Sequence, residues 1–383
     1  MAEDQNARNQ NASNTEEVSQ SATASKEDRS NRLMQRVLLG LFLLVLVAGF
    51  AIWYTCFYMP GESYADAGQS TQTEKPTNQE GSDSVTQDGS AEQESIDLPK
   101  ELEGFVSHLA DAIGERNFFK YTKLCEAADY IEARFVELGL ATSRQTFQVN
   151  GNDCFNIEAE IRGSSQPDKI VIVGAHYDSV VGTPGANDNG SGTAAMLSLA
   201  RMLKDFKPEK TLRFVAFTNE EPPWFHTRDM GSWVYAEKCS REKQDIVGVL
   251  SLETMGYFTD EEDSQKYPEP LNLMYPSTGN FIGFVSNMAS AALQKRVIKV
   301  FREHAEVPSE GASLPESLPG VGWSDHWSFW QEGYAGIMVT DTAPFRYPHY
   351  HEPTDTSDKI DYQTLAKVVQ GLKFVVEDLA SDD

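Results

Sequence analysis

His176, Asp178, Asp188, Glu220, Glu221, Glu253 and His351 are the side chains whose types and placing could do chemistry. His176 and Asp178 follow the apolar run Ile170-Val-Ile-Val173, and Asp188 follows a Gly/Pro-rich loop. Glu220 and Glu221 follow Leu212 to Phe217, Glu253 follows Val247 to Leu252, and His351 stands in a late loop after Tyr350 and ahead of Asp355. Taken singly, a Glu pair is usually surface charge and a strand-end His a structural group. Together, two imidazoles with three carboxylates from His176, Asp188, Glu221, Glu253 and His351 make a ligand set that suits zinc ahead of manganese or cobalt. His108, His226, His304 and His349 have no such context and are read as structural. Asn187, Asn189, Gly190 and Gly192 are read as shaping the loop around Asp188.

These groups must be held by the elements that precede them. Leu102, Phe105, Leu109 and Ile113 recur at helical spacing, as do Leu124, Ala128, Ile131, Phe135 and Leu138, with Gly139 as a stop. Alternating stretches near 142–149 and 154–161 read as strands. The apolar run 170–173 suits a central strand covered on both faces. Helices are expected over 192–203, 232–238 and 362–379, and strands over 212–217, 247–252 and 337–339. This alternation predicts a three-layer α/β/α sandwich with a central mixed, largely parallel sheet, in one domain over 98–383. Open sheets of this kind bind ligands beyond the carboxyl ends of their strands, where the candidate residues lie.

The order His-x-Asp, Asp, Glu-Glu, Glu, His resembles that of the M28 family of co-catalytic metallopeptidases. The resemblance covers essentially residues 100–383, with Met230-Gly231-Ser232 and Ser324-Asp325-His326 as further points of likeness. It implies a zinc-exopeptidase-like fold and two zinc ions per chain. His176, Asp188 and Glu253 would hold one ion, and Asp188, Glu221 and His351 the other, with Asp188 bridging. Asp178 would orient His176, and Glu220 would be the general base toward a metal-activated water. Tyr350 would stabilise the oxyanion, although Tyr334 and Tyr347 are nearby alternatives. The substrate would be a peptide.

Three readings of such a domain differ in class: an aminopeptidase or other exopeptidase, a glutaminyl cyclase-like transferase with a single zinc, and a non-catalytic binding module. Asp188-Asn-Gly-Ser-Gly, Glu253 and Tyr350 beside His351 resemble the peptidases, and no ligand or base is missing. Glu253 leaves amino- and carboxy-terminal cleavage both open. The long stretch Pro222 to Asp229 must lie near Glu221, so Trp224 and Phe225 are candidate walls of a side-chain pocket, with a structural loop as the plain alternative. Asp325 is a further candidate, and Gly311 to Trp323 is a second candidate wall.

Val37 to Tyr58 is a 22-residue, mostly apolar segment without charge, long enough at ~1.5 Å per residue to span a ~30 Å hydrocarbon core. Lys26, Arg29, Arg32 and Arg36 precede it, and the positive-inside rule then predicts a single-pass anchor with a cytoplasmic N-terminus and an extracytoplasmic domain. Its length and its terminal aromatics argue against a cleaved signal peptide. Residues 1–36 and 59–97 are low in apolar content and read as a disordered tail and an acidic tether. The chain carries 32 basic and 58 acidic side chains, for a formal charge of −26 and no basic block, which argues against nucleic acid as a partner. No protein partner is indicated. Cys125, Cys154 and Cys239 allow at most one disulfide, or buried thiols.

Overall fold

Ile170 to Val173 is apolar at every position because both faces of its strand are covered. Val171 and Val173 pack into one core, while Ile170 and Ile172 pack into another. The computed structural model describes residues 34–50, 58–59 and 97–381. Residues 34–50 form a helix and 58–59 a two-residue strand. The remaining strands are β1 (Ala141–Val149), β2 (Asn152–Ile161), β3 (Gln166–His176), β4 (Lys210–Phe217), β5 (Asp245–Glu253), β6 (Ile282–Asn287), β7 (Ser309–Leu314) and β8 (Gly336–Thr340).

These eight strands lie in the order β7-β6-β8-β5-β3-β4-β2-β1. The centre is parallel: β3 pairs with β4 and β5, and β5 with β8. Antiparallel pairs join β1 to β2, β2 to β4 and β6 to β8, and β7 returns parallel to β6. The sheet is therefore mixed.

The helices are α1 (Leu98–Ser107), α2 (Tyr121–Glu137), α3 (Gly192–Leu203), α4 (Gly231–Arg241), α5 (Ala291–His304), α6 (His326–Gln331) and α7 (Tyr362–Ala380). The Asp97 carboxylate caps α1 by accepting from the Lys100 amide, and Asp361 caps α7 through Thr364. Buried side chains of α1, α2, α3, α5 and α7 share the larger core, and those of α4 and α6 the smaller one. Helices thus cover both faces, as expected for this layer architecture.

Strands β6 and β7 and helices α5 and α6 were not among the expected elements. β7 reads Ser-Glu-Gly-Ala-Ser-Leu, with no β-branched residue to mark it. The segment from Gly311 therefore starts as strand and not as loop. Cys125, Cys154 and Cys239 are free thiols, so none of them is paired. The expected membrane span is described only over residues 37–50 and at Tyr58, and the tether, apart from its two end residues, lies outside the described residues. Among the described residues no helix is long and apolar enough to cross a membrane.

Candidate metal centre

β3, β4 and β5 all end on the same edge of the sheet, and each hands over a polar residue there. His176 is the last residue of β3 and Glu253 the last of β5. Glu220 and Glu221 follow β4, and the Asp178 carboxylate fixes them by accepting from their amides at 3.2 and 3.1 Å. The same carboxylate stands 3.5 Å from His176 Nδ1. Asp178 therefore couples the orientation of the imidazole to the position of the Glu pair.

Asp188 comes from the loop between β3 and α3, and that loop is tightly held. Arg116, fully buried, donates from Nε to the Tyr177 carbonyl at 2.7 Å, from Nη2 to Gly185 at 2.7 Å, and from Nη1 to Pro184. Gly185 has φ +61°, and a Cβ there would lie 2.4 Å from the Asp188 carbonyl oxygen, so the turn requires glycine. Asp355 accepts from the Asn187 and Asp188 amides at 2.8 and 3.1 Å. Asn189 donates to the Leu252 carbonyl at 2.8 Å and accepts from the Gly192 and Thr254 amides, and Asn187 donates to Asp341 at 2.8 Å. Both asparagines thus shape the loop, as expected.

Two sets of donor atoms converge. His176, Asp188 and Glu253 form one, and Asp188, Glu221 and His351 the other, with the atoms of each set within 4.8 Å of one another. His176 Nε2 lies 3.1 Å from Glu253 Oε2 and 3.4 Å from Asp188 Oδ1. His351 Nε2 lies 3.0 Å from Asp188 Oδ2 and 3.5 Å from Glu221 Oε2. Asp188 thus turns one oxygen to each imidazole. Glu220 belongs to neither set, and its Oε2 is 3.8 Å from His176 Nε2.

The charge balance fits divalent cations. Burial pushes the Glu220 and Glu221 carboxyls well above the usual range; His176 opposes this, and neighbouring carboxylates add to it. Burial also raises Asp188, but hydrogen bonds from His176 and His351 outweigh it and hold that carboxyl below its ordinary value. Burial lowers His176, yet Glu253 and Glu220 raise it well above its ordinary value. The protein's own groups therefore leave a buried excess of negative charge, which a cation would relieve. Glu221 Oε1, buried without a hydrogen-bond partner, is an available donor. Ser324 Oγ donates to Glu253 Oε2 at 2.7 Å and orients that carboxylate.

A cleft over the site is lined by Glu220, Glu221, Phe225, Trp323, Tyr350 and His351, among others. The Tyr350 ring stacks on the His351 ring at 3.9 Å between centroids. Burial, then Asp188 and Glu221, raise its hydroxyl far above the ordinary value, so it remains a donor. The Tyr347 hydroxyl donates to Asp355 at 2.8 Å and that of Tyr334 to the Gln244 carbonyl at 3.1 Å, which commits both elsewhere. Phe225 lines the cleft, whereas Trp224 packs edge-on against Phe118 at 5.1 Å and is not in its wall. Asp325 is fully buried, its carboxyl pushed up to about 7 by burial, and it is not a wall residue either. Of the 311–323 segment, Gly311, Ala312, Leu314, Pro319, Gly320, Val321 and Trp323 line a second, apolar cavity that shares Glu253, Trp323 and Tyr350 with the cleft. Arg116 went unnoticed in the sequence, and Ser324 and Asp355 were noticed only as neighbours of other candidates, because the groups they support are backbone atoms or residues far away in the chain.

Residues 156–376 match the sequence profile of Peptidase family M28. The uncharacterised protein YfbL of Escherichia coli K12 is 34% identical over 283 residues, 72% of this chain and 86% of its own. A probable aminopeptidase of Saccharomyces cerevisiae is 23% identical over 283 residues, 69% of each chain. Among solved structures, a zinc aminopeptidase from Bacillus subtilis is similar with a TM-score of 0.60 at 17% identity, over 76% of this chain and 97% of that one. A glutaminyl cyclase from Fimbriiglobus ruber reaches 0.55 at 19% identity, over 74% and 96%. Such distant structural likenesses establish the fold, and a fold shared by both activities leaves the chemistry to be argued from the site.

Proposed function

The chain belongs to peptidase family M28, and on that premise we propose that it is a zinc-dependent aminopeptidase whose two donor sets each hold one ion. The observation that carries this reading is the convergence of both sets on Asp188, with the Glu220 carboxylate beside them and outside both. Donor sets of this composition suit zinc. Bound there, the ions would supply Lewis acidity, polarising a carbonyl oxygen and acidifying a water.

The protein's own groups do the rest. Glu220 takes a proton from the water that attacks the scissile carbonyl carbon. Burial, which makes this carboxylate a stronger base than a solvated one, suits it to that task. The Tyr350 hydroxyl donates to the oxygen that becomes negative. As the carbon–nitrogen bond breaks, Glu220 returns the proton to the leaving amine. Asp178 keeps His176 and the Glu220 amide in register throughout.

Charge favours the amino terminus of the substrate. A carboxypeptidase needs a cation for the terminal carboxylate, typically a bidentate Arg. Among the described residues the cleft has no Lys or Arg in its wall to take such a carboxylate, and its own carboxylates would repel one. We also propose that residues 37–58 anchor the chain in a membrane, with the domain outside the cytoplasm; this rests on the apolar sequence and on the exposed apolar side chains of the helix over 34–50.

The test is zinc analysis of the purified protein with a panel of aminoacyl amides and their N-acetylated counterparts. Two zinc ions per chain and hydrolysis of the free-amine substrates alone are expected. Cleavage of the acetylated amides with equal efficiency would overturn aminopeptidase specificity, and one ion with cyclisation of N-terminal Gln would favour the transferase.

A further inference from the structure

Two aromatic side chains of the cleft wall come from separate parts of the chain. Phe225 belongs to the stretch 222–229 that follows Glu221, and Trp323 precedes Ser324, the residue that orients Glu253. His226 joins these parts. Its Nε2 lies 2.8 Å from the Gly322 carbonyl oxygen. A carbonyl only accepts, so Nε2 carries the hydrogen and donates it. The imidazole also stacks on Phe225 at 3.9 Å and on Trp327 of α6 at 3.8 Å between centroids, with interplanar angles of 18° and 24°. Two rings cannot share one face at that distance, so the imidazole is sandwiched between them. His226 has φ +56°, in the left-handed region that few residues other than glycine occupy, so the chain accepts local strain at the residue that makes the bridge.

The receiving side is firm. Trp327 packs on Trp233 of α4 at 5.2 Å, and a Cβ on Gly322 would lie 3.0 Å from Trp327 Cδ1, so the Gly322 backbone rests on the same indole. The stretch 222–229 has a second hold there, since the Arg228 guanidinium stands 5.8 Å from the centre of the Trp233 ring. Trp323 follows Gly322 directly. It is 41% exposed and lines both the cleft and the apolar cavity beside it. The bond from His226 therefore acts one residue away from the wall that the two spaces share.

We propose that His226 is a positioning residue: it ties the stretch carrying Phe225 to the segment carrying Trp323, and so sets the passage from the metal centre to the apolar cavity. This inference rests on the aminopeptidase reading, with the side chain beside the attacked carbonyl directed into that cavity. A large apolar side chain lies along Trp323 and feels the setting of that wall, whereas a methyl group ends short of it. Contacts of this kind hold substrate and transition state alike, so their loss falls on KM and not on kcat.

The experiment uses the full chain, zinc-loaded in mild detergent, with fluorogenic amides of Phe, Leu and Ala. H226A removes both ring and donor. It should raise KM for the Phe and Leu amides about tenfold, with kcat and the Ala amide changed less than about threefold and zinc content unchanged. H226Q separates the two contacts, because the glutamine amide nitrogen stands as many bonds from Cβ as Nε2 does. It should restore the bond to Gly322 and bring KM for the Phe amide to within about threefold of wild type. H226F keeps a ring without the donor and should leave that KM raised. Should H226A not fold, the comparison of H226Q with H226F decides. Equal losses on all three amides with reduced zinc content would make His226 a general support of the fold. That result, an unchanged KM in H226A, or an H226Q no better than H226F would overturn the positioning role while leaving the peptidase standing. Failure of the wild type to cleave any of the three would overturn the peptidase reading and this one with it.

Discussion

At the scale of single residues the site separates groups that hold charge from one that moves a proton. Glu220 lies 3.8 Å from His176 Nε2 yet belongs to neither donor set. Glu220→Gln should therefore keep its zinc and its fold while kcat falls by about 10²-fold or more, read by metal analysis beside steady-state kinetics. Substantial residual activity would sink the assignment. The imidazoles predict a pH dependence. Burial lowers His176 and His351, but Glu253 and Glu220 around His176, and Asp188 beside His351, raise both above the ordinary value in the metal-free protein. A protonated imidazole cannot ligate, so zinc binding must displace a proton from each as pH falls. Zinc affinity should drop by up to about tenfold per pH unit for each proton displaced, measured by chelator competition between pH 8 and pH 5.5. A pH-independent affinity would contradict histidine ligation. Of the five proposed ligands, His176, Glu221 and Glu253 were legible because they follow strands whose apolar runs are visible, whereas Asp188 and His351 stand in loops and were named from the order of residues that the family resemblance supplied. The supporting roles of Ser324 and Asp355 were not legible, because each acts on a residue far away in the chain, at 2.7 Å from Glu253 Oε2 and 2.8 Å from the Asn187 amide.

At the scale of elements, what separates strands from site is the loop between β3 and α3. Arg116 supports it from outside, with its guanidinium satisfied by backbone carbonyls of Leu109, Gly114, Tyr177, Pro184 and Gly185. Burial lowers its pKa to about 10, with Asp355 and Asp178 opposing, so it stays charged at neutral pH. Arg116→Ala would leave several buried carbonyls unpaired and release the turn that presents Asp188. We expect a loss of at least about 3 kcal/mol in denaturant unfolding and a weaker zinc affinity in whatever protein stays folded. An unchanged midpoint would show that the loop holds itself. The sequence made β3, β4, β5 and α3 readable through apolar runs and helical spacing. It concealed β7, whose residues apart from Leu314 are small or polar and carry no strand pattern. Trp224 shows the same limit: its sequence neighbourhood is the cleft, but Phe118 captures the ring.

At the scale of the whole molecule, the proposed anchor would decide where the catalytic domain works. The helix over residues 34–50 has large apolar side chains more than half exposed, among them Leu44 at 67% and Val47 at 68%. Its 17 residues would span about 26 Å, short of a ~30 Å hydrocarbon core, so residues beyond 50 must extend it if it is to cross. The apolar sequence continues through Phe57, ahead of the 58–59 strand, which meets that need. On the proposed anchor, the formal charge of −26 disfavours attachment to an anionic lipid surface through charge, so attachment would rest on the apolar segment. The full chain should therefore stay in the membrane pellet through both 1 M salt and alkaline carbonate washes of the kind that strip peripheral proteins, about 3 Å being the screening length at such salt. A variant lacking residues 1–58 should move to the supernatant with its kcat/KM on peptide amides unchanged, since every group proposed for catalysis lies between His176 and His351. Release of the full chain by salt alone would replace the anchor with a surface attachment. Loss of activity in the shortened chain would mean that the leading segment contributes to the catalytic domain itself.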